Sequence, residues 1–174
     1  MTTANHRVRH ATADDADDIV RLIRGLAEFE KEPPTTVKIT ADDVRRDAFG
    51  PKPHFESLIA ELDTDSGSEP VGLALFFHTY STWDASPTLW LEDLFVEERA
   101  RGLGLGHKLM AALAHIAVDR GCGRLELSVL HWNPAREFYH RHGFHHQEDW
   151  LTYRLDGDPF AALANSADGD IEPV

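Results

Sequence analysis

The chain has 174 residues, and its 17 Lys and Arg against 30 Asp and Glu give a formal net charge of −13. This length suits one domain with its own core, and the acidic balance argues against a nucleic-acid partner and an anionic membrane surface. The single Cys122 excludes an intrachain disulfide, and the absence of a signal peptide or a long apolar run predicts a cytoplasmic protein.

Apolar periodicity and turn signals predict the secondary structure in chain order. Thr12 with Asp15 and Thr40 with Asp43 have the spacing of capping boxes and mark the starts of two helices. The predicted order is strand 6–10, helix 12–32, helix 40–48, strands 55–62, 71–80 and 88–96, helix 104–120, strand 124–131, helix 133–142 and strand 150–155.

This order predicts one α/β domain with a mixed, mostly antiparallel sheet. Short links between the strands at 55–62, 71–80 and 88–96 predict an antiparallel meander. The helix between the strands at 88–96 and 124–131 predicts a right-handed parallel crossover. We expect the domain to cover residues 1–157 and to be followed by a mobile acidic tail at 158–174.

A glycine-rich segment, Arg-Gly-Leu-Gly-Leu-Gly at residues 101–106, lies between a predicted strand and a long helix. Alternate glycines allow a tight turn, and the helix start adds a partial positive charge, so the segment favours a diphosphate. Its spacing fits neither the Rossmann fingerprint nor the Walker A loop. Taken alone, the glycines could form only a strand-to-helix turn.

The pattern R-x-x-G-x-G resembles the acetyl-CoA loop of GNAT-fold acetyltransferases, and the segment at 138–144 resembles the family's F-Y-x-x-x-G-F motif. The resemblance covers about residues 8–155. Within the family, the chain is similar to the diamine acetyltransferases of the spermidine/spermine and thialysine type, on the segments 26–31, 80–83, 90–96 and 121–124. The Ser-Thr-Trp form of 81–83 resembles the thialysine branch more.

The resemblance implies a parallel strand pair that is splayed to hold acetyl-CoA, with helices on both faces of the sheet. It assigns the cofactor to the end of one strand, the glycine loop and an Asn: Leu94, Phe95, Val96, Arg101, Gly102, Leu103, Gly104, Leu105, Gly106, His107 and Asn133. No metal is expected, and the histidines near residues 140–146 do not form a defined metal site.

The resemblance also assigns two catalytic roles. Glu92 would take the proton from the attacking amine, directly or through water, and Tyr139 would protonate the departing thiolate. Strand alternation predicts that Glu92 and Asp93 face opposite sides of the sheet unless a bulge intervenes. The alternatives are solvated edge carboxylates for this pair and a core aromatic for Tyr139.

The acceptor is expected to be a small cationic amine. The resemblance places acidic and aromatic side chains around it: Phe29, Glu30, Ser81, Trp83, Glu92 and Glu148. The alternatives are a loop anchor for Trp83 and a solvated helix end for Glu30.

The sequence therefore predicts an acetyl-CoA-dependent N-acetyltransferase that acts on a diamine, a polyamine or a lysine-like amine by direct transfer. A homodimer is expected from the same resemblance. The alternatives are a GNAT enzyme for protein or drug-like amines and a non-catalytic acyl-CoA-binding regulator.

Overall fold

The computed structural model describes residues 6–167. Five strands are formed there: β1 His6–His10, β2 Glu56–Thr64, β3 Gly67–Ser81, β4 Ser86–Val96 and β5 Arg124–Leu127. The α-helices of this part of the chain are α1 Ala16–Phe29, α2 Ala41–Phe49, α3 Leu105–Asp119, α4 Ala135–Arg141 and α5 Gly157–Asn165.

The strands form one mixed sheet in the order β1-β2-β3-β4-β5. β1 to β4 are antiparallel neighbours, and β5 lies parallel to β4. A tight turn joins β2 to β3, where Gly67 has a φ of +126° that a side chain would disfavour. The predicted meander and the parallel pair joined by a helix are both confirmed.

Helices cover both faces of the sheet. Ile59, Leu73 and Phe95 are buried in one core cluster with residues of α1 and α2. Phe76 lies on the opposite face, where the Arg120 guanidinium at the end of α3 is 5.8 Å from its ring centroid. The buried side chains of α3 are Leu105, Leu109, Met110, Leu113 and Ala117.

Side-chain caps fix two helix starts as the sequence predicts. The Thr40 hydroxyl accepts from the Asp43 backbone N–H at 3.2 Å, and the Thr40 N–H donates to Asp43 Oδ2 at 3.0 Å. The Thr12 N–H donates to Asp15 Oδ2 at 2.7 Å. That second box opens a short 3-10 turn, and α1 follows directly.

Ion pairs join β1, β2 and the turn before α1. Arg9 donates to both Asp15 carboxylate oxygens at 2.7 Å and to Glu61 at 2.8 Å, and Arg7 donates to Glu61 at 2.5 Å. The bonds from Arg9 hold the pKa of Asp15 below its ordinary value. Burial would raise the pKa of Glu61, but the two arginines outweigh burial and lower it.

The chain divides into two compact units, the first ending at Asn133 and the second beginning at Pro134. In the second unit, the predicted strand at 150–155 is wrong, because these residues are exposed and pair with no strand within residues 6–167. Alternation alone does not make a strand, since its backbone groups need a neighbouring strand. The second unit instead contains α5, which the sequence reading did not predict.

Several predicted elements are shorter in the structure, and one expectation reaches beyond the described residues. The predicted helices 12–32 and 104–120 are 16–29 and 105–119 in the structure. β5 ends at Leu127 rather than at residue 131. α4 ends at Arg141, one residue before the predicted end. Of the predicted tail at 158–174, residues 168–174 lie outside the described part of the chain.

Candidate active site

A β-bulge in β4 places Glu92 outside the regular strand pairing. Leu75 of β3 pairs with Asp93, whereas the next residue, Phe76, pairs with Leu91. Glu92 is therefore the extra residue of the bulge. The bulge is the exception that the alternation argument allows for Glu92 and Asp93, because a bulge resets which side each residue faces.

As a consequence, both carboxylates line one cavity of about 390 Å³, which we call the carboxylate cavity. Side chains from α1, β3, β4 and the loops on either side of α2 form its wall: Ile23, Ile39, His54, Phe55, Leu75, Phe77, Glu92 and Asp93. Five of these eight side chains are apolar. The cavity therefore offers paired negative charge within mostly apolar surroundings.

The surroundings shift the pKa values of the acidic residues in this region. Burial raises the pKa of Asp93 to about 6, and the neighbouring Glu92 and Glu30 carboxylates add to this effect. Burial also raises the pKa of Glu30, although a hydrogen bond from Asn133 opposes it. Glu92 is exposed and accepts a hydrogen bond from the Trp90 indole N–H at 2.8 Å.

The sheet opens just past the bulge. The ladder between β4 and β5 pairs Thr88–Leu91 with Arg124–Leu127 and ends there. Leu94, Phe95 and Val96 pair with β3 but have no ladder partner on the β5 side within the described residues. This stretch is the predicted splay, and its open edge can pair with an extended ligand.

Arg101 is held at the end of β4 by one hydrogen bond and two aromatic rings. Its Nε donates to the Val96 carbonyl at 2.9 Å. Its guanidinium carbon lies 4.7 Å from the Phe29 ring centroid and 5.9 Å from that of Phe95. These contacts fix the guanidinium while leaving its terminal nitrogens able to bind an anion.

The Arg101 side chain lines a second cavity of about 700 Å³, which we call the Arg101 cavity. Its charged wall carries three arginines and three glutamates, namely Arg21, Arg24, Arg101, Glu28, Glu97 and Glu98. Arg21 bonds Glu97 and Asp18, so part of this charge is paired. Predicted acceptor residue Phe29 lies in this cavity rather than in the carboxylate cavity.

The glycine loop has the backbone that its sequence predicts. Gly102 and Gly104 adopt φ values of +78° and +80°, which side chains disfavour. Leu103 between them is 41% exposed, and α3 begins at Leu105, with Gly106 and His107 in its first turn. Among the described α-helices, only α3 has no acidic residue in its first turn, so the positive end of its dipole favours an external anion.

Two predicted site residues bond one another. Asn133 is 5% exposed, and its Nδ2 donates to Glu30 Oε1 at 3.3 Å. Beside them, the Lys31 ammonium lies 4.1 Å from the Trp132 ring centroid. The end of α1 is thereby tied to the loop after β5, although the sequence placed Glu30 and Asn133 on different ligands.

Ser81 and Trp83 lie at the turn between β3 and β4. The Ser81 hydroxyl donates to Asp84 Oδ2 at 2.8 Å, and Trp83 is 88% exposed. Glu92 lies six residues beyond Ser86 along β4, which corresponds to about 20 Å of strand. The structure does not bring Ser81 or Trp83 into the carboxylate cavity.

The other two predicted residues, Tyr139 and Glu148, belong to the second unit. Tyr139 lies on α4, and its ring makes edge contacts with Phe138 at 5.6 Å and Phe144 at 5.7 Å between centroids. Its ring is therefore part of an aromatic cluster with these two residues. Glu148 is exposed.

Neither a metal-binding cluster nor a membrane-spanning helix occurs in residues 6–167. No group of three or more His, Cys, Asp or Glu in residues 6–167 is arranged to hold a metal ion. None of the described helices is both long and apolar enough to span a bilayer.

Comparison with known proteins decides the family. Residues 22–144 match the acetyltransferase (GNAT) family. The chain belongs to the GNAT family. It is therefore an acyltransferase that transfers acetyl groups, and members of this family use acetyl-CoA as the acetyl donor.

Named relatives cover most of this GNAT chain. A thialysine N-epsilon-acetyltransferase from Mus musculus is 37% identical over 169 residues, which are 92% of this chain and 98% of that protein. A spermidine/spermine N(1)-acetyltransferase-like protein 1 from Homo sapiens is 34% identical over 91% of this chain, but over only 24% of its own length. A solved integron cassette protein of V. cholerae matches with a TM-score of 0.74 at 23% identity over 92% of this chain and 98% of its own, which supports the fold alone.

Sequence reasoning missed three features of this GNAT site. His54 and Ile39 line the carboxylate cavity, but they lie in loops without a recognisable motif. Trp90 and Glu92 are two residues apart on β4, and no motif marks the hydrogen bond between them. The one available signal was the adjacent pair Glu92 and Asp93 within an otherwise apolar segment.

Proposed function

We propose that this GNAT enzyme transfers an acetyl group from acetyl-CoA directly to a primary amine of a small diamine, polyamine or lysine-like amino acid. The observation that carries the proposal is the bulged pair of Glu92 and Asp93 in one cavity, at the point where β4 loses its partner β5. The names of the similar relatives, which refer to thialysine and to spermidine/spermine, support this acceptor class.

The donor side of the proposal rests on the open edge and the glycine loop. The backbone of Leu94, Phe95 and Val96 pairs with the pantetheine arm of acetyl-CoA, as a strand pairs with an extended ligand. The diphosphate takes the N–H groups of the loop and of the start of α3, together with the Arg101 guanidinium. A contact from Asn133 to the cofactor arm remains a prediction, because its amide engages Glu30 in this structure.

The acceptor side rests on the carboxylate cavity. A protonated amine is attracted by Glu92 and Asp93, and the apolar wall of the cavity packs on the carbon chain between its nitrogens. Contacts of Phe29, Glu30, Ser81, Trp83 and Glu148 with the acceptor remain predictions.

The ammonium nitrogen loses two protons in all, and both are accounted for. Glu92 takes the first proton, because only the neutral amine attacks a carbonyl carbon. A new N–C bond forms, the C–S bond of the thioester breaks, and Tyr139 protonates the departing thiolate. The second proton, which the acylated nitrogen loses as it becomes an amide, restores the Tyr139 hydroxyl. Direct transfer needs no acyl-enzyme, and Cys122 lies in the turn before β5, away from both cavities.

Release of free CoA tests the proposed function. The purified chain is mixed with acetyl-CoA and, in turn, thialysine, lysine, spermidine, 1,3-diaminopropane, a Lys-containing peptide and an arylalkyl amine. We expect turnover with one or more of the small diamines or amino acids at a kcat/KM at least about tenfold above the last two. A preference for the peptide or the arylalkyl amine would support the rival GNAT function. Tight acetyl-CoA binding without turnover would support the regulator.

We also propose a homodimer. Large apolar side chains near the end of the second unit support an interface, since Trp150, Leu151 and Tyr153 are 69%, 76% and 89% exposed. Sedimentation equilibrium tests this assignment, and a monomer at micromolar concentration would contradict it. The cytoplasmic location remains a prediction.

A further inference from the structure

We propose that Trp90 is a positioning residue that holds the Glu92 carboxylate in the orientation needed to accept the proton of the amine. This inference rests on the proposed function of Glu92 as the base. It adds a residue to the reaction that the motifs of the chain do not indicate.

Glu92 needs a positioning partner because the sheet does not orient it. The bulge removes its pairing to β3, and the ladder to β5 ends one residue earlier, at Leu91. Its side chain is exposed, so burial does not restrict its rotamers. An unrestrained carboxylate would spend much of its time in orientations that cannot take the proton.

Trp90 can restrain it because Trp90 is itself fixed on both sides. It pairs with Phe77 of β3 and with Glu126 of β5. Its ring lies 6.5 Å from the Phe77 ring, between centroids, and Phe77 also lines the carboxylate cavity. From this platform the indole N–H donates to Glu92 Oε2 at 2.8 Å.

This hydrogen bond gives the two oxygens of the Glu92 carboxylate different roles. Oε2 accepts from Trp90, whereas no described residue hydrogen-bonds Oε1, so Oε1 is the oxygen for the amine proton. The indole N–H can only donate, so it holds Oε2 as an acceptor. Without this bond, the exposed carboxylate would rotate more freely, and Oε1 would face the amine for a smaller fraction of the time.

The test replaces Trp90 and measures kcat and KM for each substrate. In Trp90→Phe we expect kcat/KM for the amine to fall about tenfold through kcat, which is the size of a charge-assisted hydrogen bond. The KM for acetyl-CoA should not change. Site-specific 3-benzothienylalanine at position 90 keeps the ring shape but has sulfur in place of N–H, and it should give the same result if Trp90→Phe folds poorly.

Val118→Ala is the control, because it shortens an exposed apolar side chain of α3 outside both cavities. It should leave the rate as in the wild type.

A double-mutant cycle separates positioning from general packing. Because Trp90 acts through Glu92, Trp90→Phe in the Glu92→Gln background should cost no more than about twofold. A further tenfold loss in that background, or a wild-type kcat/KM for the amine in Trp90→Phe, would overturn the proposal. If Glu92→Gln itself keeps the wild-type rate and pH–rate profile, the base assignment fails first, and the role of Trp90 fails with it. If Glu92→Gln is impaired and only the Trp90 variants are normal, the proposed function stands without the positioning role.

Discussion

Asp93 differs from its neighbour Glu92 in its surroundings rather than in its chemistry. Burial and two nearby carboxylates raise its pKa to about 6, whereas Glu92 reaches solvent at the bulge. A folded-state pKa above that of the unfolded chain means that the folded protein binds this proton more tightly. The stability that the protonated Asp93 provides is therefore present below about pH 4 and is lost as the pH rises through about 6.

This difference predicts a stability effect for Asp93→Asn. The variant keeps a neutral side chain at all pH values, so it should gain roughly 1–3 kcal/mol in the free energy of unfolding, relative to the wild type, between about pH 4 and about pH 8. Urea titrations at the two pH values measure it. The same wild-type-to-variant difference at both values would show that Asp93 titrates normally.

Tyr139 carries the second catalytic prediction at the residue scale. Its aromatic contacts with Phe138 and Phe144 do not need the hydroxyl, so Tyr139→Phe should keep the fold. Loss of the acid should lower kcat about 100-fold. Steady-state kinetics and circular dichroism check the two statements, with Tyr153→Phe as a control, since Tyr153 is an 89% exposed tyrosine of the same unit. Wild-type turnover in Tyr139→Phe would remove it as the acid.

At the scale of elements, one arginine holds β1, β2 and the turn before α1 together. Arg9 bonds Asp15 and Glu61, whose side chains are 8% and 5% exposed. Arg9→Ala leaves two buried carboxylates without their main partner and should cost about 2–4 kcal/mol in the free energy of unfolding.

Arg7→Ala is the matched control for this prediction. Arg7 is 64% exposed, and among residues 6–167 its side chain bonds only the Glu61 carboxylate, so its loss should cost less than about 1 kcal/mol. Chemical denaturation of both variants measures the difference. Equal losses would mean that Arg9 does not hold the elements together.

The elements that could be predicted are those with local signals. The boxes of Thr40 and Thr12, the turn at Gly67 and the glycine loop are each specified by a few neighbouring residues, and the structure confirms them. The strand at 150–155 has alternation but no neighbouring strand within residues 6–167. The bulge at Glu92 also depends on distant residues, because the register of β3 decides it. Pairing between strands depends on residues that are distant in the chain, so a single sequence does not predict it.

At the scale of the whole molecule, the net charge is −13, and the acidic residues fall into two groups. Many acids are paired on the surface, as in the bonds of Arg45 to Asp17 and of Arg120 to Glu56. A few, namely Glu30, Glu92 and Asp93, lie close enough to influence one another beside the carboxylate cavity. The overall charge argues against nucleic acids and anionic membranes as partners, but only this small group of acids supports a cationic acceptor.

The part of the candidate site that lies within sequence motifs could be predicted from the sequence. The strand end at 94–96, Arg101 and the loop glycines follow from a continuous segment, and the structure gives them an open edge, an anchored guanidinium and a bare helix start. The acceptor side is assembled from α1, β3, β4 and loops, so its wall is visible only in the fold.

The central claim is that both substrates are bound at once beside β4, so that the acetyl group passes directly from acetyl-CoA to the amine. Initial rates measured while acetyl-CoA and the preferred amine are varied together test it most directly. Direct transfer predicts double-reciprocal lines that intersect, because both substrates must be present before any product leaves. Parallel lines, with CoA released before the amine binds, would contradict it.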